Sequence, residues 1–225
     1  MSTACTTTRT TASVLAALTL AASTFLASCN IIGPAYVLAA GPEKQKALFT
    51  LDRERPTVIF VDDRASVLPR RTLRQTVAKR IESELLGQKS LTTVIDSSTI
   101  AGVASRDPAD SPTDIASLGK SVSAEVVIYV SLDRFAVSPD GQVYQPFADA
   151  RVKVLDITKQ QPRVWPQERE GYTASLIMPQ GRNNLPATPA AAAAAQETLA
   201  AELGVTIARL FFTHESGSRA STKRE

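Results

Sequence analysis

Cys29 is the side chain whose surroundings most clearly prepare it for chemistry. Leu26, Ala27 and Ser28 precede it at the end of an uncharged apolar run that starts soon after Arg9. Small residues at positions 27 and 28 fit the narrow groove of a signal peptidase, and the thiol after them is a nucleophile for lipid attachment. The four residues therefore read as a bacterial lipobox with Cys29 as the lipidation site. A second candidate is acidic. Asp62 and Asp63 follow an apolar, β-branched run at 57–61, and together with Asp133 they could supply the oxygen ligands by which clustered carboxylates hold Mg²⁺. A phosphoacceptor site of that type also needs a lysine after a later strand, and no suitable one follows Asp133. Loop carboxylates of this kind more often accept from backbone N–H groups at a helix start. No catalytic residue and no cofactor is assigned.

Cysteine and histidine usage narrows the remaining chemistry. Of two cysteines, cleavage discards Cys5 and lipid occupies Cys29, so the mature chain has no disulfide and no thiolate metal ligand. The single histidine, His214, cannot build a His-rich metal site, and no metal is expected. Tyr144, Phe147, Trp165 and Tyr172 gather around a predicted hairpin. They form a possible aromatic contact patch, with packing on the sheet as the ordinary alternative. Arg70, Arg71, Arg74, Lys79 and Arg80 form a basic cluster on one predicted helix, but Glu82 and Glu84 follow and no aromatic side chain interleaves to stack bases. That pattern predicts a solvated helix face and no nucleic-acid partner. The formal charge of +3 and pI near 9.0 are a small excess spread over mixed-sign segments.

The amino-terminal residues 1–28 have the parts of a secretory signal: one basic residue, an apolar core near 14–25 and a small-residue cleavage site. The core is shorter than the roughly 20 apolar residues that cross a bilayer. One acyl chain gives only marginal membrane binding (K about 10⁴ M⁻¹), whereas two or more hold stably. Asn30 stands where an aspartate would resemble an inner-membrane retention signal, so the expected address is the periplasmic face of the outer membrane. Residues 29–55, with Gly33-Pro34, Gly41-Pro42 and a polar run at 43–46, read as a flexible spacer from the lipid. Residues 56–214 read as the folded domain, and 215–225 as a disordered tail.

The elements of that domain follow a legible order. Residues 57–61 suit a strand buried on both faces. Leu73, Val77, Ile81 and Leu85 then recur every four residues, the apolar face of a helix that Gly87 ends. A second strand is expected at 91–95, followed by a short helix capped by Asp96-Ser97-Ser98. After a Pro-containing loop at 105–113, a helix starting at Thr113 or Asp114 carries Ile115, Leu118 and Val122. A third strand spans 126–132, and Pro139-Asp140-Gly141 turns it into a hairpin with 144–157, whose Ala148, Ala150, Val152 and Val154 alternate with polar residues. Val164-Trp165-Pro166 opens a further strand that could run to Met178, with Pro166 marking an edge or bulge. Thr188-Pro189 then starts a long helix with Leu199, Leu203, Ile207 and Phe211 on one face. Gly204 inside it suggests a close crossing over a strand. The predicted class is α/β (α+β): a three-layer-like domain in the order β-α-β-α-β-β-β-α, with helices packed on a mixed sheet.

This order, a strand ending in a residue like Asp96, and the helix leading into Ser123-Ala124-Glu125-Val126-Val127-Ile128-Tyr129 resemble the amino-terminal domain of TolB. They are also similar to the periplasmic domains of the curli-secretion lipoprotein CsgG and the peptidoglycan-synthase activator LpoB. The strand pair Val152-Lys153-Val154-Leu155-Asp156-Ile157-Thr158 to Arg163-Val164-Trp165 is similar to that group's leucine, x, aspartate, x, threonine, turn, valine, x, tryptophan pattern. The resemblance implies a non-catalytic interaction or assembly module, with another envelope protein or a peptidoglycan-associated complex as partner. A pore is not expected, because a barrel strand needs about 9–11 residues and 171–184 is too short and interrupted for a pair. The competing expectation is a periplasmic ligand- or glycan-binding lipoprotein, which would show a concave pocket with convergent polar groups. Docking would instead use a flat patch or an open sheet edge.

Overall fold

The computed structural model describes residues 44–106, 113–179 and 185–215. The lipobox and the tail beyond Glu215 lie outside them. A folded unit runs from Gln45 to His214. In chain order its elements are β1 (Lys44–Gln45), β2 (Thr57–Asp62), α1 (Thr72–Gly87), β3 (Val94–Ile95), α2 (Ser97–Ala104), α3 (Ile115–Ser121) and β4 (Val126–Ala136). There follow β5 (Phe147–Asp156), β6 (Arg163–Trp165), β7 (Tyr172–Ile177), α4 (Pro189–Ala208), a 3₁₀ turn (Arg209–Phe211) and β8 (His214–Glu215). The short strands β1 and β8 pair with each other.

β2 is buried along its whole length because β4 flanks it throughout, β3 flanks its first two residues, and helices cover both faces. It pairs in parallel with β3 over Thr57 and Val58, and with β4 from Thr57–Val126 to Asp62–Ser131. β4 is antiparallel to β5, whose far edge carries β6 at one end and β7 at the other. The sheet is mixed, in the order β3-β2-β4-β5-β6, with β7 beside β6 on β5. Successive β2 side chains point to opposite faces. Ile59 and Val61 enter a core with Leu73, Val77 and Ile81 of α1 and Leu199, Leu203 and Ile207 of α4. Val58 and Phe60 enter a second core with Ile100 of α2 and Leu118 of α3. The domain is thus a three-layer α/β fold, the class the residue pattern predicts.

Local chemistry sets the helix starts. Asp96 accepts from Ser98 N, Asp114 from Ala116 N, and Thr188 from Ala191 N with Pro189 in the first turn. Each satisfies an amide that the helix itself leaves without a partner. Two glycines mark close approaches. A Cβ on Gly119 would lie 2.6 Å from Val127 Cγ2, so α3 sits directly on β4. A Cβ on Gly204 would lie 2.7 Å from Arg80 Cβ and 2.9 Å from Val77 O. The close crossing expected at Gly204 therefore exists, but it is α4 against α1 and not against a strand.

Three further expectations are corrected. The strand expected at 91–95 is only Val94–Ile95, because Ser90 N and Leu91 N still bond Leu85 O as the chain leaves α1, and Leu91 is drawn into the helix-side core. The strand from Val164 towards Met178 is two strands, β6 and β7, separated at Pro166, where the Trp165–Pro166 peptide is cis. Lastly, the described part of the expected spacer belongs to the fold. Leu48 N and Phe49 N donate to Leu210 O, Leu51 is buried, and Thr92 N donates to Arg53 O. Apolar side chains at 49 and 51 give this segment enough area to dock, which its polar start at 43–46 conceals.

Candidate functional site

The three carboxylates that sequence singles out are not assembled into one site. Asp62, at the end of β2, is buried, accepts from Tyr129 Oη at 2.9 Å and pairs with Arg64 Nε at 2.7 Å. Burial, and then the neighbouring Asp62 charge, push the Tyr129 hydroxyl up to about 12, so it remains a donor at any physiological pH. Asp63 accepts from Val67 N at 2.8 Å and Leu68 N at 3.2 Å, closing the loop that leads to α1. Asp133 takes Arg151 Nε at 2.6 Å as part of a charge ladder across β4 and β5. No group of three or more His, Cys, Asp or Glu side chains converges among the described residues. His214 lies in β8, its Nδ1 3.3 Å from Phe212 O and its ring 6.0 Å from the Phe212 ring.

The aromatic quartet divides. Trp165 packs against Tyr172 at 5.3 Å, Phe49 at 5.9 Å and Phe211 at 6.0 Å between ring centroids. Phe147 lies beneath the Arg134 guanidinium, 5.5 Å from its ring centroid. It faces Ile177 across β5–β7, whereas Tyr172 faces Val152, five positions away in the same ladder. At about 3.3 Å per residue that is roughly 16 Å, so the four rings do not form one patch. Tyr144 lies in the β4–β5 connection with a half-buried side chain. Trp165 and Tyr172 thus belong to an aromatic cluster that ties β6 and β7 to the segment at 49 and to the 3₁₀ turn.

β7 has β5 on one edge and no strand on the other among the described residues. From Tyr172 to Ile177 it carries no charge and no proline, and Ile177 is 68% exposed. Edge strands are usually guarded by lysine, proline or bulges; this one is guarded by none of them along its length.

A cavity of about 810 Å³ opens at the carboxyl end of β2. It exists because β3 is short. Past Val58 the edge of β2 on that side has no strand partner, and α1 and α2, joined at the start of α2 by Glu82 and Lys79, pack on opposite faces of the sheet. Arg71, Arg74 and Gln75 of the α1 start line one wall, and Ser97 and Ala101 of α2 line another. Arg70 is turned away, its guanidinium bonding Ala193 O, Gln196 Oε1 and Glu197 on α4. Lys79 pairs with Glu82 and Asp96, and Arg80 with Glu84. Arg71 and Arg74 have no ion pair among the described residues. The basic cluster is therefore not one solvated face: Arg70 and Lys79 tie α1 to other elements, Arg80 pairs within α1, and Arg71 and Arg74 line the cavity. In the sequence Ser97 stands out only as part of a helix cap. Its role as a cavity residue depends on where β3 stops, which no local pattern encodes.

No protein-family model matches the chain, and no curated protein does. Solved structures to which the chain is similar include a PelC dodecamer from Paraburkholderia phytofirmans, at 10% identity and TM-score 0.43 over 76% of this chain and 98% of that one. The hypothetical protein CT253 from Chlamydia trachomatis is 20% identical, with TM-score 0.40 over 69% and 97%. Lipoprotein GNA1162 from Neisseria meningitidis is 10% identical, with TM-score 0.36 over 57% and 83%.

Proposed function

We propose that this chain is a lipid-anchored cell-envelope protein, held through Cys29 at the periplasmic face of the outer membrane, whose α/β domain acts without catalysis as a protein-interaction or assembly module. The observation that carries the docking reading is β7: an uncharged edge strand with Ile177 exposed at its end, braced by Trp165 and Tyr172. An unpaired edge presents backbone N–H and C=O groups to a partner's extended segment. Its rigid backing lowers the ordering cost of such an encounter. The likeness of the β5–β6 sequence to the TolB, CsgG and LpoB group supports the same role, as does the occupation of Asp62, Asp63 and Asp133 by structural partners. Among the described residues no helix is long and apolar enough to cross a membrane, and the acyl-bearing Cys29 supplies the anchor in this reading.

Crosslinking in intact cells of wild type beside Cys29→Ala tests it. One envelope partner captured by the anchored protein and lost with the variant supports docking. An identical, non-specific capture in both contradicts it. A second reading, a periplasmic ligand- or glycan-binding lipoprotein, is favoured by the 810 Å³ cavity, which is within the usual size for small-molecule sites.

A further inference from the structure

We propose that the cavity between α1, α2 and the carboxyl end of β2 binds a small organic anion, a phosphate- or carboxylate-bearing molecule with an apolar body. This rests on the ligand-binding reading and is independent of docking through β7. Four observations converge on it. First, the cavity opens at the carboxyl end of the parallel strand β2, where that strand leads into α1. In open α/β sheets, ligands sit outside the carboxyl ends of the strands.

Second, the charge there is basic and unspent. Asp62 is neutralised by Arg64, and Asp63 is engaged by two loop amides, whereas Arg71 and Arg74 have no ion pair among the described residues. Two guanidinium groups one helical turn apart suit the planar, bidentate recognition of carboxylate or phosphate oxygens.

Third, the sixteen-residue helix α1 opens at this cavity with no side-chain cap and no acidic residue in its first turn. An anion at that end is favoured by the helix dipole.

Fourth, and independent of the helix end, Ser97 lines the cavity with only 4% of its surface exposed, and its Oγ has no hydrogen-bond partner. Buried hydroxyls are nearly always bonded. A ligand oxygen in the cavity would complete this one. The apolar remainder of the wall, including Phe60, Leu68, Ala78 and Leu118, suits a hydrocarbon or aromatic body.

The test uses the full acylated protein in nanodiscs of neutral lipid, titrated calorimetrically with phenyl phosphate, benzoate, inorganic phosphate and phenyl glucoside. Expected is one site for phenyl phosphate or benzoate, inorganic phosphate at least about tenfold weaker for want of the apolar body, and no heat with the glucoside. Arg71→Gln and Arg74→Gln each weaken binding about five- to tenfold with the melting temperature unchanged. Ser97→Ala weakens it several-fold without lowering the melting temperature, a pattern a purely structural hydroxyl would not give. Adding phosphatidate to the nanodisc separates two sources of the same chemistry: competition assigns the site to a lipid headgroup, and its absence to a free anion. Binding of both anions by the double arginine variant as tightly as by wild type overturns the proposal. So does binding of phenyl glucoside alone, which leaves the broader ligand-binding reading standing. No heat with any of the four at millimolar concentration overturns both.

Discussion

Arg55 grips Asp156 with two parallel bonds, Nη1 to Oδ2 and Nη2 to Oδ1, each 2.8 Å. Its Nε reaches Glu125 at 2.8 Å. One guanidinium therefore joins the segment before β2 to the end of β5 and the start of β4, which makes residues 46–55 part of the domain. The Asp156 carboxylate is almost fully buried and also accepts from Thr158 N and Oγ1. Replacing it with asparagine leaves Arg55 with the more exposed Glu125 as its remaining charge partner, and Asp156→Asn is expected to lose about 2–3 kcal/mol of stability, read by urea unfolding. A loss under about 0.5 kcal/mol would contradict the role of this pair.

The same pair sets a pH dependence. The Arg55 guanidinium holds the Asp156 carboxyl well below the usual carboxylate range, and Lys79 does the same for Asp96. A folded-state value below the unfolded one, near 3.9, means that the unfolded chain binds more protons as acid is added. Stability from these groups is complete above about pH 5 and falls as pH drops towards 2. Asp156→Asn should flatten that acid limb; an unchanged limb would show that other groups carry it.

Gly204 sits where α4 crosses α1. Alanine is the better helix former by about 1 kcal/mol, but its Cβ would press on the Val77 carbonyl, which is fixed in α1. Overpacking of this kind costs about 1–3 kcal/mol. Gly204→Ala is expected to lower the melting temperature by several degrees. A rise would mean that the helices part easily.

Trp165 is held by three aromatic neighbours. Trp165→Ala should cost about 3 kcal/mol by large-to-small truncation, measured by thermal or urea unfolding. A near-neutral effect would instead return Trp165 to the free contact patch that sequence alone allows.

If Cys29 is the anchor, the amino-terminal peptide of the membrane-associated protein starts at Cys29 and carries acyl mass. Mass spectrometry of that fraction checks this directly. A chain that still contains residues 1–28, or an unmodified Cys29, would contradict lipidation.

How far these features can be read from sequence depends on how local their causes are. The apolar run of β2, the four-residue spacing of Leu73, Val77, Ile81 and Leu85, and the caps at Asp96, Asp114 and Thr188 are local, and each predicted element stands where expected. Where tertiary contacts decide, sequence fails in identifiable ways. The strand at 91–95 shrinks because the chain is still bonded to the end of α1. Phe49 docks because Trp165, far along the chain, offers it a surface. Arg71 and Arg74 differ from Arg70 only in which element stands opposite, and the cavity they face is made by the two-residue length of β3.

The most direct test of docking is a photo-crosslinking side chain placed at Ile177 in the anchored protein, compared with one at exposed Glu54 and repeated with Thr173→Lys. Lysine on this exposed position of β7 guards the edge, and because the Arg151 it faces is already paired with Asp133 and Glu170, it changes stability by no more than about 0.5 kcal/mol. The expected result is one envelope protein captured from Ile177, not from Glu54, and lost with Thr173→Lys at an unchanged melting temperature. Equal capture from both positions, or capture indifferent to Thr173→Lys, would contradict β7 as the docking edge.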